Sequence, residues 1–351
     1  MIDWIKITLR DFTGTLDNCR KGAVLADEET GLMYENYTLS NGLKTPKQHR
    51  LKIARQVGSS TLTVKGSIRK WGTHRDILAD LSAKHFEKTV RKLADKLHIS
   101  FEEICSARFT QCEIGLNIKT RIPCYEIIPM VVKYGGVKKS IEGDSVYFEG
   151  EAKKLKIYDK GKEVADNAEG ANNRRMMKRI SDWLRKNGHH YLRIEYTLHH
   201  HKGFIQYGLG HIETVGDLIT HYSDLYTFWC RETNRITLYN PATVPNKEKL
   251  KAAEFKIAMN LAVEGYQKTL DQINHQYKNA KSANQMRSRA RQKILAVVNK
   301  FYPDTYNTQT LRLDAARNLS RKHAKLGVEV PISDCYKALW VEKIGKKRAS
   351  H

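Results

Sequence analysis

The chain has 351 residues, enough for two or three domains and a substantial core. Its 61 Lys and Arg outweigh 38 Asp and Glu, a formal net charge of +23, which favours a polyanionic partner, nucleic acid ahead of an anionic membrane surface. No run of about 18 apolar residues predicts a membrane span, the start lacks a signal-peptide pattern, and none of the six cysteines forms the C-x-x-C pair of a zinc ribbon. A cytoplasmic protein with reduced thiols is expected.

In chain order, MIDWIKITLRDF alternates like a strand, and TLTVKGSIRKW (Thr61 to Trp71) reads as another. A helix is predicted over about Asp76 to Leu97, where Ile77, Leu78, Leu81, Phe86, Val90 and Leu93 recur at helical spacing. The strand FTQCEIGLNI follows, then IPMVVKYGG (Ile128 to Gly136). DSVYFEGEAKKLKIYDKGKEV, from Asp144 to Val164, reads as two strands joined by a polar turn. A helix over about Asn173 to Lys186 carries Met176, Ile180 and Leu184 every four residues, and Asn187-Gly188 stops it. Its other surface bears Arg174, Arg175, Lys178 and Arg179. YLRIEYTLH is the last clear strand.

The character changes after about Gly210. From Asn246 to Tyr302 the pattern is helical, and between Asp271 and Asp304 no acid interrupts seven basic residues, Arg287, Arg289, Arg291 and Lys293 among them. Solvated helices ordinarily mix signs, so this run is expected to bind a DNA backbone. Further helices are predicted over about Thr308 to Leu326 and Asp334 to Ile344. The fold class expected is α+β: an antiparallel sheet with flanking helices over residues 1–210, followed by a mainly helical basic region over 211–351.

Alternation splits each strand into two faces. Cys112, Ile114, Leu116 and Ile118 form one face, and Gln111, Glu113, Gly115 and Asn117 the other. Leu192, Ile194, Tyr196 and Leu198 oppose Arg193, Glu195, Thr197 and His199. Leu155 and Ile157 oppose Lys156 and Tyr158. If these strands share a sheet, Glu113, Glu195 and Tyr158 share an exposed face. Two carboxylates suit Mg²⁺ or Mn²⁺, and a tyrosine oxygen can attack a phosphate that a metal polarises. With a usual pKa of about 10, the phenol needs Lys156, Lys160 or the metal to favour its ionised form. Solvated strand charges and ordinary sheet tyrosines account for the same pattern equally well.

LKIYDKGKE, with the later Arg-Ile-Glu strand, resembles the nucleophile motif of rolling-circle replication initiators of the Rep-trans type. That group includes plasmid Rep proteins and related relaxases, and the filamentous-phage gene II replication proteins have a comparable layout. The opening MID, TLTVKGSIRKW, FTQCEIGLNI and YLRIEYTL occur in similar order there, and the resemblance covers roughly residues 1–210. It implies that Tyr158 attacks origin DNA, leaving a 5′-phosphotyrosyl link and a free 3′-OH. It further implies that Glu113 and Glu195, with Asn117 or His199, hold the metal. Lys156, Lys160 and Arg193 would contact the phosphate or orient ligands. The family's first acidic strand reads Arg-x-Asp with a further acid four residues on, where this chain has Gln111, Glu113 and Asn117.

Tyr147, on the face of Tyr158, is the rival nucleophile or an aromatic cross-strand neighbour. His200 and His201 read as loop residues or phosphate contacts. No G-x-x-x-x-G-K-[ST] is present, so unwinding and synthesis fall to a host helicase and polymerase. The partners expected are duplex and single-stranded origin DNA, with no membrane and a homodimer left open. Two alternatives remain: a relaxase of a mobile element with the same chemistry, and a non-catalytic origin-binding protein.

Overall fold

The structure is a computed structural model that describes residues 1–42, 49–72, 78, 80–120, 122–166, 171–238 and 251–276, with single positions between 285 and 297. The expected helices over 308–326 and 334–344 lie outside the described residues.

The first five strands are β1 (Ile2–Leu9), β2 (Cys19–Ala26), β3 (Met33–Leu39), β4 (Leu51–Gln56) and β5 (Leu62–Ser67), of which β1, β4 and β5 alternate buried and more exposed residues. The chain then coils into α1 (Ile68–Gly72), so the strand read through Trp71 ends four residues earlier. Next come α2 (Ala83–Leu97), α3 (Phe101–Ser106), the long β6 (Arg108–Thr120), α4 (Cys124–Met130), β7 (Val131–Tyr134) and β8 (Lys139–Glu142). The expected hairpin is β9 (Ser145–Glu149) and β10 (Lys153–Asp159), which runs into α5 (Lys160–Asp166) and α6 (Ala171–Lys186). β11 (His190–His199), α7 (His200–Gln206), α8 (Val215–Thr220), α9 (Tyr222–Thr233), β12 (Ile236–Leu238) and α10 (Ala252–Gln276) complete the described elements.

Ten strands form one antiparallel sheet in the order β2-β3-β4-β5-β1-β6-β11-β10-β9-β8, and the fold is α+β. The apolar face predicted for the central strands is the core: Cys112, Ile114, Leu116, Ile118, Leu192, Ile194, Tyr196, Leu198, Leu155 and Ile157 are all buried. Helix α9 packs its Leu225, Phe228 and Trp229 into the same core, and the Trp229 indole donates to the Ile194 carbonyl at 3.0 Å. Glu232 of α9 accepts from Lys153 of β10, whose ammonium also sits 3.9 Å from the Tyr207 ring centroid. The core cluster extends to Leu238, so residues 211–238 pack with the sheet rather than with a separate helical region.

Helix α2 begins later than its apolar spacing predicts. The Ser82 side chain caps it by accepting from the His85 amide at 3.2 Å. This leaves Leu78 and Asp80 outside the helix, where they reach β6: the Asn117 amide donates to Asp80 at 3.3 Å.

Candidate active site

Four adjacent strands, β1, β6, β11 and β10, build the polar face opposite the core. Their register sets out its rows. Tyr158 lies opposite Arg193, and Arg193 opposite Asn117; Lys156 lies opposite Glu195, and Glu195 opposite Gly115; Thr197 lies opposite Glu113. Tyr158, Glu195 and Glu113 thus converge across three neighbouring strands, as alternation alone predicts once those strands are adjacent.

The face is covered, where the sequence led us to expect it open. Lys160 and Glu163 of α5 and Arg69 and Lys70 of α1 close over it, and Lys70 meets Glu163 at 3.7 Å. Tyr158 retains 5% exposure, Glu195 8% and Arg193 none.

At the centre lies the Arg193 guanidinium. Its Nε donates to Glu195 Oε2 at 2.6 Å, one Nη to Asp3 Oδ2 at 2.7 Å, and the other to Asn117 Oδ1 at 3.1 Å and Asp80 Oδ1 at 3.4 Å. With these partners Arg193 has no exposed surface. It fixes the orientation of the Glu195 and Asp3 carboxylates, the second of the two roles expected for it, and its burial does not suit a direct DNA contact. Gly115 makes this arrangement possible, because a Cβ there would lie 2.7 Å from the Arg193 Nη and 3.0 Å from its Cζ.

Asp3 is the member that strand alternation hides. Its parity matches Ile5, Ile7 and Leu9, which face the core. A register shift against β6 between Ile2 and Ile5, which pair with Ile114 and Cys112, changes the phase and turns Asp3 to the polar side. There it also accepts from Arg69 at 3.2 Å and from the Ser67 hydroxyl. Burial alone would raise its pKa, but Arg69 and Arg193 hold the carboxyl well below the usual range. Asp80 was hidden by the helix predicted through it.

The Tyr158 hydroxyl donates to Glu195 Oε2 at 3.2 Å. Burial, and then the Glu195 charge, push the phenol well above its usual pKa. Ionisation of the phenol therefore still calls for added positive charge, as its ordinary pKa leads one to expect. Lys156 sits 4.4 Å from the Tyr158 ring centroid and 5.5 Å from that of Tyr147, and Lys160 sits 5.7 Å from the Tyr158 ring. Burial lowers the Lys160 pKa to about 8, with Arg193 adding to the effect and Glu163, 2.6 Å away, opposing it. Tyr147 is half-buried on the row of Lys156 and Glu195.

Burial and the adjacent Glu195 charge raise the Glu113 pKa well above the usual carboxylate value. Two neighbouring carboxylates suit a hard divalent cation, which commonly takes one or two protein carboxylates and completes its shell with water and phosphate oxygens. Glu113 and Glu195 therefore fit Mg²⁺ or Mn²⁺.

Asn117 does not belong to that set: its oxygen accepts from Arg193, and its amide donates to the Leu78 carbonyl at 2.9 Å. His199 is four residues beyond Glu195 on β11, roughly 13 Å along the strand, and opposes Gln111. It is too distant to share an ion with Glu195. His201 instead lies 3.8 Å from Glu213. A separate surface group of His211, His221 and Asp224 lies on other elements.

No protein-family model, curated protein or solved structure matches the chain.

The remaining expected DNA contacts are exposed where described. Arg175, Lys178 and Arg179 lie on the surface of α6, as do Arg289 and Lys293 in the later helical segment. Arg174 lies in the backbone of α6 with its side chain outside the described atoms, and Arg287 and Arg291 lie outside the described residues. No helix among the described residues is long and apolar enough to cross a membrane. The five described cysteines are free thiols.

Proposed function

We propose that the chain nicks and rejoins DNA through a tyrosine nucleophile, as a replication initiator of the rolling-circle type acting on a phage or plasmid origin. The observation that carries this reading is the contact of the Tyr158 hydroxyl with Glu195 at 3.2 Å, with Glu113 beside the same carboxylate.

In this mechanism Glu195 takes the phenolic proton as the Tyr158 oxygen attacks phosphorus. The bond to the 3′ oxygen breaks, that oxygen leaves as a 3′-OH after protonation, and the 5′ phosphate stays on Tyr158. Attack by a 3′-OH on the phosphotyrosine reverses the sequence and restores the phenol. A divalent cation held by Glu113 and Glu195 would supply charge to the phosphate oxygens. Arg193, anchored by Asp3, Asp80 and Asn117, holds Glu195 in place, while Lys160 and Lys156 bring positive charge to the phenol ring.

The test is adduct formation on single-stranded fragments of the replicon that carries the gene, with Mn²⁺ present, read on denaturing gels. Wild type should leave a protein-linked 5′ end, and Tyr158→Phe should bind DNA without forming it. Glu113→Ala and Glu195→Ala should each lose cleavage, whereas His199→Ala should keep most of it. An adduct that survives Tyr158→Phe and disappears in Tyr147→Phe would move the nucleophile to Tyr147.

The burial of the site favours a second reading, in which the charges around Arg193 only lock the sheet and the protein binds its origin without cutting. Absence of any adduct from wild type, with specific duplex binding retained, would select it.

A further inference from the structure

A cavity of ≈ 580 Å³ opens at the end of β10 and β11, between α4, α5 and α6. Asp159, Gly161 and Lys162, all within four residues of Tyr158, form one wall, and His189 and His190, at the start of the strand that carries Arg193 and Glu195, form another. Its volume is in the range of small-ligand sites. We propose that this cavity receives a nucleobase of single-stranded DNA close to the scissile phosphate and prefers a base with an exocyclic amine. This rests on the DNA-nicking reading above.

The chemistry of the walls distinguishes a base from a phosphate. Asp144, Asp159, Asp166 and Asp182 line the cavity, in a chain whose net charge is +23. Of the two lysines, Lys162 is engaged by Asp144, and Lys178 is exposed. Carboxylates repel phosphate and accept from base N–H groups, such as the amines of cytosine and adenine; thymine has no amine to offer. Those four acids are also too dispersed for one cation, because the three-ligand cluster found among the described residues lies elsewhere, at His211, His221 and Asp224.

Two further observations point to a planar ligand. Tyr125 lines the cavity and is 68% exposed, so it offers a free ring face for stacking. His189 is backed by Trp183 at 5.6 Å, and its Nδ1 is buried with no hydrogen-bond partner. Gly161 keeps the wall open, since a Cβ there would approach Asp159 to 3.3 Å and Ser181 to 3.9 Å.

The test uses the full chain in metal-free buffer with EDTA, so that no cutting is involved. Four single-stranded decamers of equal charge serve as probes: dC, dA, dT and an abasic chain. Wild type should bind dC and dA most tightly, dT less, and the abasic chain at least about fivefold more weakly than dC. Tyr125→Ala should remove most of the gain over the abasic chain. Asp166→Asn, also at an exposed position, should reduce the preference of dC and dA over dT while leaving the salt dependence unchanged. Equal binding of all four decamers by wild type, or base preferences untouched in both variants, overturns the pocket and leaves the nicking reading standing. No binding to any decamer overturns both.

Discussion

Lys160 is a site residue whose titration is brought down toward neutral pH. Its ammonium is buried beside Arg193, and its pKa is lowered to about 8 from an ordinary value of about 10.4. Below pH 8 the side chain is charged in both folded and unfolded chains. Between about 8 and 10.4 the unfolded chain binds the extra proton, so this group makes the fold more stable as pH rises through that window. Activity should move in the opposite direction if the charge assists the phenol: nicking should decline above about pH 8 while the contribution of Lys160 to thermal stability rises. Lys160→Met should cut poorly at every pH, and its melting temperature should lack the rise above pH 8 due to this group. A wild-type rate that stays flat to pH 10 would remove Lys160 from the chemistry. Asp3 is a positioning residue on the same scale. Asp3→Ala leaves Arg193 and Arg69 short of their shared counter-charge, and breaking a buried pair in this way costs about 3–5 kcal/mol, which chemical denaturation can measure.

At the scale of elements, the two-faced central strands were legible because period-two alternation survives in β6, β10 and β11 without interruption. The hairpin before α5 and the stop of α6 at Gly188, whose φ is +62°, were legible from turn chemistry. The missing site residues all lie where an element departs from its period. Asp3 follows the irregularity in β1, Arg69 lies in a helical turn that the strand-like TLTVKGSIRKW concealed, and Asp80 precedes a cap that shortens α2. Covering of the polar face could not be read either, because strand patterning does not say which loop or helix lies over it. Gly115 was seen only as a gap in a polar face, yet it gives the Arg193 guanidinium room to span β6. Gly115→Ala should displace a side chain pinned by four residues, cost about 1–3 kcal/mol as overpacking does, and slow nicking by moving Glu195. Gly150→Ala is the control, since its Cβ would make an ordinary 3.5 Å contact with the Lys153 carbonyl. Equal melting temperatures for the two variants would mean that Arg193 shifts without consequence.

For the whole molecule, the proposed function divides the excess of positive charge between charges that would hold DNA and charges that balance buried acids. Arg69, Arg193 and Lys160 belong to the second group, since all are buried against carboxylates. They neutralise no phosphate in the described conformation. Exposed Arg175 and Arg179 on α6 are candidates for the first, and α6 packs against α5, the helix that directly follows Tyr158. Their charges are therefore expected to hold single-stranded DNA near the cut. Replacing both with Gln removes two contacts, and at roughly 0.7 per contact the log–log salt slope on single-stranded DNA should fall by about 1.4. Replacing Arg289 and Lys293 with Gln tests the other end of the chain. If that segment holds duplex origin DNA, the slope on duplex should fall by about 1.8, while a short single strand supplied in excess is still cut. A reduced slope on both DNA forms from the α6 pair alone would place the whole electrostatic footprint beside Tyr158 and leave Arg289 and Lys293 as solvated charges.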